Sequence, residues 1–166
     1  MQTTIIYLIG FMGAGKTTIG KELAKQLNWK FYDTDVVLQK KYHFSIPDIF
    51  SQFGENRFRI MENEVLKELS NYRAVIATGG GIVEDQENLI LMKERGLVIY
   101  LSHPFQASYE RIKNDKSRPL LKKTTTELNN IYNKRLPYYQ QANMTIETNG
   151  KSPLQIVSEI LSLLKK

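Results

Sequence analysis

The stretch Gly10-Phe11-Met12-Gly13-Ala14-Gly15-Lys16-Thr17-Thr18 reads as G-x-x-x-x-G-K-T, the spacing of a phosphate-binding loop. Its glycines let the backbone curl until successive N–H groups point at one anion. Thr3 to Ile9 before it is apolar and β-branched, as a buried strand would be. After it, Ile19, Leu23 and Leu27 recur at helical spacing, with Lys21, Glu22, Lys25 and Gln26 between them. The order is therefore strand, glycine loop, helix, which a chance glycine-rich turn would not require. The helix starts near Lys16, and its free N–H groups and positive dipole end add to the field at the loop. Lys16 carries a compact charge to the β- and γ-phosphates of a nucleotide, and the Thr17 hydroxyl is placed to bind Mg²⁺.

Around this loop the chain has the length of one domain, 166 residues, with 42% hydrophobic and 24% charged residues. It contains no cysteine, which excludes disulfides and thiolate metal sites. His43 and His103 lie far apart and read as surface or loop residues, not metal ligands. The net charge of +6 suits small anionic ligands as well as nucleic acid. The basic residues are scattered and no basic run is interleaved with aromatics, so nucleic-acid binding is not expected. No stretch reaches bilayer-spanning length and no signal peptide is evident, so a cytoplasmic protein without membrane attachment is expected. No apolar surface stripe remains unassigned, and a monomer is expected.

Trp29 to Tyr32 reads as a second strand ending in Asp33-Thr34-Asp35. Ligands of open α/β sheets bind beyond the carboxyl ends of strands, so these carboxylates should face the phosphate loop. Thr34 or Asp35 is the expected cap of the helix through Val36, Val37 and Leu38; one cap does not explain two acids at i and i+2. Ser45-Ile46-Pro47-Asp48 starts another helix, Gly54 makes a turn, and Glu55 to Leu69 is helical with Phe58, Met61, Val65, Leu66 and Leu69 on one face. Arg57 and Arg59 in its first turn oppose the helix dipole; either they pair with Glu55 or Glu62, or a ligand needs them. Ala74 to Ala77 is a third strand running into Thr78-Gly79-Gly80-Gly81, where a ligand could meet backbone N–H groups without interference from a Cβ. A helix over Asp85 to Glu94 stops at Gly96, Leu97 to Leu101 is a fourth strand, and Pro104 to Ile112 is helical. The polar, basic segment 114–126, containing Arg118-Pro119-Leu120-Leu121, reads as a lid. Glu127 to Tyr139 is helical and carries Arg135; Met144 to Glu147 is a fifth strand; a loop over 148–153 precedes a helix over Leu154 to Leu164. Alternation of strands and helices predicts an α/β fold, with a parallel sheet covered by helices on both faces.

With these segments in order, the sequence resembles the shikimate kinases, small P-loop kinases of aromatic amino-acid biosynthesis. The resemblance covers nearly the whole chain. It rests on the Gly10–Thr18 loop, Asp33-Thr34-Asp35, Gly54-Glu55-x-x-Phe58-Arg59-x-x-Glu62, Gly79-Gly80-Gly81, Arg118-Pro119-Leu120-Leu121, and Arg135 ahead of Pro137-Tyr138. It implies a P-loop kinase fold in a single domain over 1–166, with a five-stranded parallel sheet and a lid at about 114–126. It also implies ATP-dependent phosphorylation of the 3-hydroxyl of shikimate, with Mg²⁺ as cofactor. By resemblance, Gly13, Ala14, Gly15, Lys16, Thr17 and Thr18 bind the nucleotide phosphates, Thr17 ligates Mg²⁺, and Asp33 holds the metal through water. Asp35 binds substrate hydroxyls and is the candidate base. Arg59 and Arg135 grip the shikimate carboxylate, with Gly79, Gly80 and Gly81 beside the ring. Arg118 reaches from the lid onto the phosphates. Arg111 and Pro153 sandwich adenine, with Lys151 beside them. Phe44 stands where the family usually has glycine.

The residues themselves support the same chemistry. Phosphoryl transfer needs positioning and charge neutralisation, which Lys16, Mg²⁺ and Arg118 would supply, and a closing lid would exclude water. A kinase for gluconate or a nucleoside monophosphate is the rival of the same class; paired arginines beside a glycine triplet favour a small carboxylated polyol. A GTP-dependent switch would need Asn-Lys-x-Asp, but Asn133-Lys134-Arg135-Leu136 ends in leucine and lies in a helix. A motor-type ATPase would end its third strand in an acidic residue, where this chain has Thr78-Gly79-Gly80.

Overall fold

The computed structural model describes residues 4–166, so Thr3, the expected start of the first strand, lies outside the described residues. Strand β1 is Ile5–Ile9, buried at every position, and strands β2 (Lys30–Asp33), β3 (Ala74–Ala77), β4 (Leu97–Ser102) and β5 (Met144–Glu147) follow. The sheet order is β2-β3-β1-β4-β5 and every pairing is parallel. Ile5 lies opposite Ala74, and Ile6 opposite Leu97. The central strand is covered on both faces, which is why its sequence is a continuous apolar run and not an alternation.

The helices are α1 (Lys16–Leu27), α2 (Thr34–Tyr42), α3 (Ile46–Leu69), α4 (Gln86–Arg95), α5 (Phe105–Ile112), α6 (Thr125–Tyr139) and α7 (Pro153–Leu164). Side chains of β1 alternate between two cores. Ile6 and Leu8 meet Ile19 and Leu23 of α1 and Ile156 and Ile160 of α7. Tyr7 and Ile9 meet Val65 and Leu66 of α3, Met92 of α4 and Tyr139 of α6. Five strand ends thus gather at one rim: Gly10 after β1, Asp33 closing β2, Thr78 after β3, His103 after β4 and Thr148 after β5.

Several local departures from the sequence reading matter for the site. Strand β2 runs one residue later than expected, so Asp33 is its last residue and becomes the cap of α2, its Oδ1 accepting from the N–H groups of Asp35 at 3.0 Å and Val36 at 3.3 Å. Neither Thr34 nor Asp35 is the cap, which leaves Asp35 free to face the rim. Helix α6 starts two residues before Glu127 because Thr124 and Glu127 form a reciprocal capping box. Ser45 caps α3 as expected. Gly54 is a sharp break inside α3, with φ 80° and ψ 170°, a region open in practice only to glycine. Arg59 and Glu62 lie on the half of the helix that follows this break and line a cavity at the rim. The residue closing α2 with positive φ is His43, at 60°, not Phe44, whose ring packs edge-on against Phe53 with centroids 5.2 Å apart. His103 is not a surface residue: it is buried, its ring Nδ1 2.9 Å from Thr148 Oγ1, because that pair ties the ends of β4 and β5 together. In the segment 114–126, Pro119–Lys122 forms a single 3-10 turn whose Leu120 and Leu121 rest on the core. Among the described residues no helix is long and apolar enough to cross a membrane.

Candidate active site

At the rim two cavities adjoin. The larger, about 450 Å³, follows the phosphate loop, and the smaller, about 200 Å³, lies between α3, the glycine triplet and α6. Met12, Asp35, Gly79, Gly80 and Arg118 line both, so they form the shared wall.

In the larger cavity Gly15 stands before α1 with φ 95° and offers no side-chain cap, so the first N–H groups of the helix are left to an anion. Gly13, Ala14, Lys16, Thr17 and Thr18 line the same wall. Lys16 is folded into the loop, its Nζ donating to the carbonyls of Gly10 at 2.5 Å and Phe11 at 3.0 Å. Burial of the ammonium, with Arg118 nearby, pulls its pKa down to about 7. The Thr17 hydroxyl donates to Asp33 Oδ2 at 2.8 Å, so these two oxygen-bearing side chains meet at the cavity wall. Arg111 Nη1 donates to the Gly13 carbonyl at 3.0 Å, and Pro153 and Lys151 line the far end. Lys151 is paired there with Glu159 at 2.7 Å. Thr148 also faces this cavity, a residue with no signal in the sequence.

The smaller cavity is a charged chamber. Arg59 donates to Glu62 Oε1 at 2.9 Å and lies 3.4 Å from Glu55, so the ion pairing expected of it and its position facing the cavity coexist. Arg135, 3% exposed, donates through Nε to Glu84 Oε2 at 3.1 Å. Asp35 Oδ1 and Glu62 Oε2 are buried without a hydrogen-bond partner among the described residues. Burial first, then the charge of Asp33, lifts Asp35 to about 6. Burial lifts Glu62 to about 7 against the pull of Arg59, and the charge of Asp35 adds to the rise. Phe50 and Phe58 give the chamber an apolar side.

The glycine triplet serves space more than donation at its first position. The Gly79 N–H is already given to Thr34 Oγ1 at 3.0 Å, so it is not offered to a ligand as the sequence reading had it. A Cβ on Gly79 would fall 2.6 Å from Glu62 Oε2 and 3.2 Å from Asp35 Oδ1. A Cβ on Gly81 would collide with the guanidinium groups of Arg59 and Arg135. The triplet is what lets four charged side chains converge on one point. Tyr139, stacked on Tyr100 at 5.0 Å, donates to the Gly80 carbonyl at 2.6 Å and pins the triplet from below. Arg118 comes from the segment 114–126, its Nε donating to Asp115 at 2.9 Å. The structure thus brings the residues assigned to nucleotide, metal and substrate to this rim, whereas Arg57, grouped with Arg59 in the sequence reading, lines neither cavity. Sequence reasoning missed a site role for Thr34, Glu84, Tyr139 and Thr148, and reads Glu62 only as a partner for Arg59.

A parallel α/β sheet with a phosphate loop after its first strand, and an arginine-lined chamber sharing a wall with that loop, defines a P-loop kinase of small molecules. The family model for shikimate kinase matches residues 12–165, and the chain belongs to the shikimate kinase family. It is 45% identical over 161 residues to a shikimate kinase of Persephonella marina, covering 96% of this chain and 98% of that protein. Shikimate kinase from Acinetobacter baumannii in complex with shikimate superposes with a TM-score of 0.95 at 40% identity, over 98% of this chain and 93% of that one. Shikimate kinase from Aquifex aeolicus gives 0.87 at 44% identity, over 97% and 96%.

Proposed function

We propose that this chain transfers the γ-phosphoryl group of ATP to the 3-hydroxyl of shikimate, yielding shikimate 3-phosphate and ADP, with the nucleotide in the larger cavity and shikimate in the smaller. The observation that carries this reading is the wall common to both cavities, where Asp35 and Arg118 face each of them.

Loop N–H groups and Lys16 take the β- and γ-phosphates; to do so Lys16 exchanges the Gly10 and Phe11 carbonyls for phosphate oxygens. Arg111 and Pro153 flank the adenine, with Lys151 beside it. Thr17 and Asp33, whose oxygens meet, would hold a divalent ion that prefers oxygen donors. The charge such an ion would supply is positive charge against the nucleotide phosphates. Arg59 and Arg135 hold the shikimate carboxylate, which orients the ring against the Gly79–Gly81 backbone. Asp35, raised in pKa but ionised at neutral pH, accepts the proton of the attacking hydroxyl. Arg118 leaves Asp115 to meet charge on the transferring group, and lid residues Pro119 and Leu120 shield the chamber from water, the competing acceptor.

A coupled assay of ADP release with Mg·ATP and a panel of shikimate, gluconate and nucleoside monophosphates tests this reading. Turnover is expected with shikimate alone; faster turnover with another acceptor would overturn the substrate assignment.

A further inference from the structure

The family resemblance assigns no task to Glu84, yet it is the carboxylate with which Arg135 is ion-paired. Arg135 is almost wholly buried, and a buried guanidinium needs a partner that fixes its plane. Glu84 accepts from Nε at 3.1 Å. That leaves both Nη groups over the glycine backbone: a Cβ on Gly80 would lie 3.3 Å from Nη1, and one on Gly81 2.8 Å from Nη2. With Nε taken, the Nη pair is the edge presented to the chamber that Arg135 lines.

Glu84 is itself held rigidly. It closes the 3-10 turn Ile82–Glu84, which leaves directly from the glycine triplet, and its N–H donates to the Gly81 carbonyl at 3.1 Å. Asn88, buried on α4, donates to the Ile82 carbonyl at 3.1 Å and accepts from Asn63 of α3 at 2.6 Å. One short segment therefore carries both the backbone beside the ring and the acid that aims the arginine. The second oxygen of Glu84 meets Lys134 at 3.2 Å, but that lysine is 70% exposed and its pairing is screened. The Arg135 pair is shielded, with Glu84 itself 25% exposed, so its geometry is not that of a loose surface ion pair.

Resting on the functional reading above, we infer that Glu84 is a positioning residue for shikimate: it locks Arg135 through Nε so that its two Nη groups meet the substrate carboxylate as a preformed fork. It touches neither substrate nor nucleotide. Removing it leaves the arginine present and charged but free to rotate about its terminal torsions, so the cost falls on shikimate binding.

Steady-state kinetics of Glu84→Ala, Glu84→Gln, Glu84→Asp and Lys134→Ala in the full chain test this, with melting temperatures measured alongside. Glu84→Ala is expected to raise KM for shikimate about tenfold, leaving kcat and KM for ATP within about twofold. Glu84→Gln keeps an acceptor for Nε–H and is expected to restore KM for shikimate to within about threefold of the unaltered enzyme. Glu84→Asp, a methylene short of Nε, is expected to fall between the two, and Lys134→Ala to stay within about twofold. An unchanged KM for shikimate in Glu84→Ala overturns the inference. So does a parallel rise of both KM values, which would mark local unfolding, or a Glu84→Gln enzyme as impaired as Glu84→Ala, which would mark charge and not direction. If the unaltered chain turns over no shikimate, the functional reading fails and takes this inference with it; turnover with no KM split sinks the inference alone.

Discussion

Replacing Asp35 by Asn should make the protein more stable and nearly inactive at once. Asp35 Oδ1 is buried with no hydrogen-bond partner among the described residues, and its pKa stands at about 6 instead of 3.8. That difference corresponds to about 3 kcal/mol held against the ionised carboxylate in the ligand-free protein. Asparagine has the same shape and no charge, but its amide is left partly unpartnered, which takes back about 1 kcal/mol. The net gain is about 1–2 kcal/mol, or a rise in melting temperature of about 2–8 °C for a chain of this size. The pH dependence gives the sharper signature. The folded state holds a proton that the unfolded chain releases between about pH 4 and pH 6, so the penalty grows as pH rises through that window and is constant above it. In the variant Glu62 loses a repelling neighbour and Lys16 a compensating one, so their changes enter the difference with opposite signs. Thermal unfolding of the two proteins without ligands, from about pH 4 to about pH 8, should show the variant no more stable than the parent in acid, a gap opening in its favour between about pH 4 and pH 6, and a constant gap above. Turnover of the variant should fall by about 10²–10⁴, the range for a lost general base. A variant no more stable than the parent near neutral pH, or a gap that does not depend on pH, would refute the reasoning.

Lys16→Met should fold with an unchanged circular dichroism spectrum and lose about 10³-fold in kcat; wild-type kinetics would count against the phosphate-loop assignment. Arg59→Ala and Arg135→Ala should each raise KM for shikimate about tenfold or more with little change for ATP, whereas equal losses for both ligands would point to a folding role. Arg118→Ala should lower kcat about a hundredfold with less effect on shikimate affinity, and an unchanged rate would remove the lid arginine from the mechanism. Gly54→Ala has open space around its Cβ but the wrong backbone, so it should cost about 1–3 kcal/mol in urea unfolding and raise KM for shikimate by turning Arg59 aside. Full stability in that variant would show that the break in α3 is not strained.

The phosphate loop, Asp35 and Arg59 stand out because each sits in a pattern with a local cause, whereas Arg135 is marked only by the family resemblance. A loop must follow a strand and open a helix; an arginine in a first helical turn stands out against the dipole. Glu84, Thr34 and Tyr139 carry no such mark. Each works through a partner distant in the chain, Arg135 at 51 residues, Gly79 at 45 and Gly80 at 59, and that proximity exists only once the sheet is assembled. The same limit explains the errors. Asp33, Thr34 and Asp35 are all good caps, and which one caps depends on where β2 ends, a matter of register against β3. The glycine triplet was read as a set of free N–H groups, but Thr34 had already claimed one; its main task is to make room for charged side chains. His103 reads as a loop residue because it is one; its burial comes from Thr148 on the neighbouring strand end. Elements marked by periodicity or turn residues fell within a residue or two of their expected bounds, as expected when caps fix helix ends.

The most direct measurement is phosphorus NMR of the chain mixed with Mg·ATP and shikimate. Two anionic ligands held across the Asp35–Arg118 wall should give one ADP for each new phosphate ester, with the ester phosphorus coupled to the ring proton at the 3-position. ADP accompanied only by inorganic phosphate, or an ester on another hydroxyl, would contradict the account.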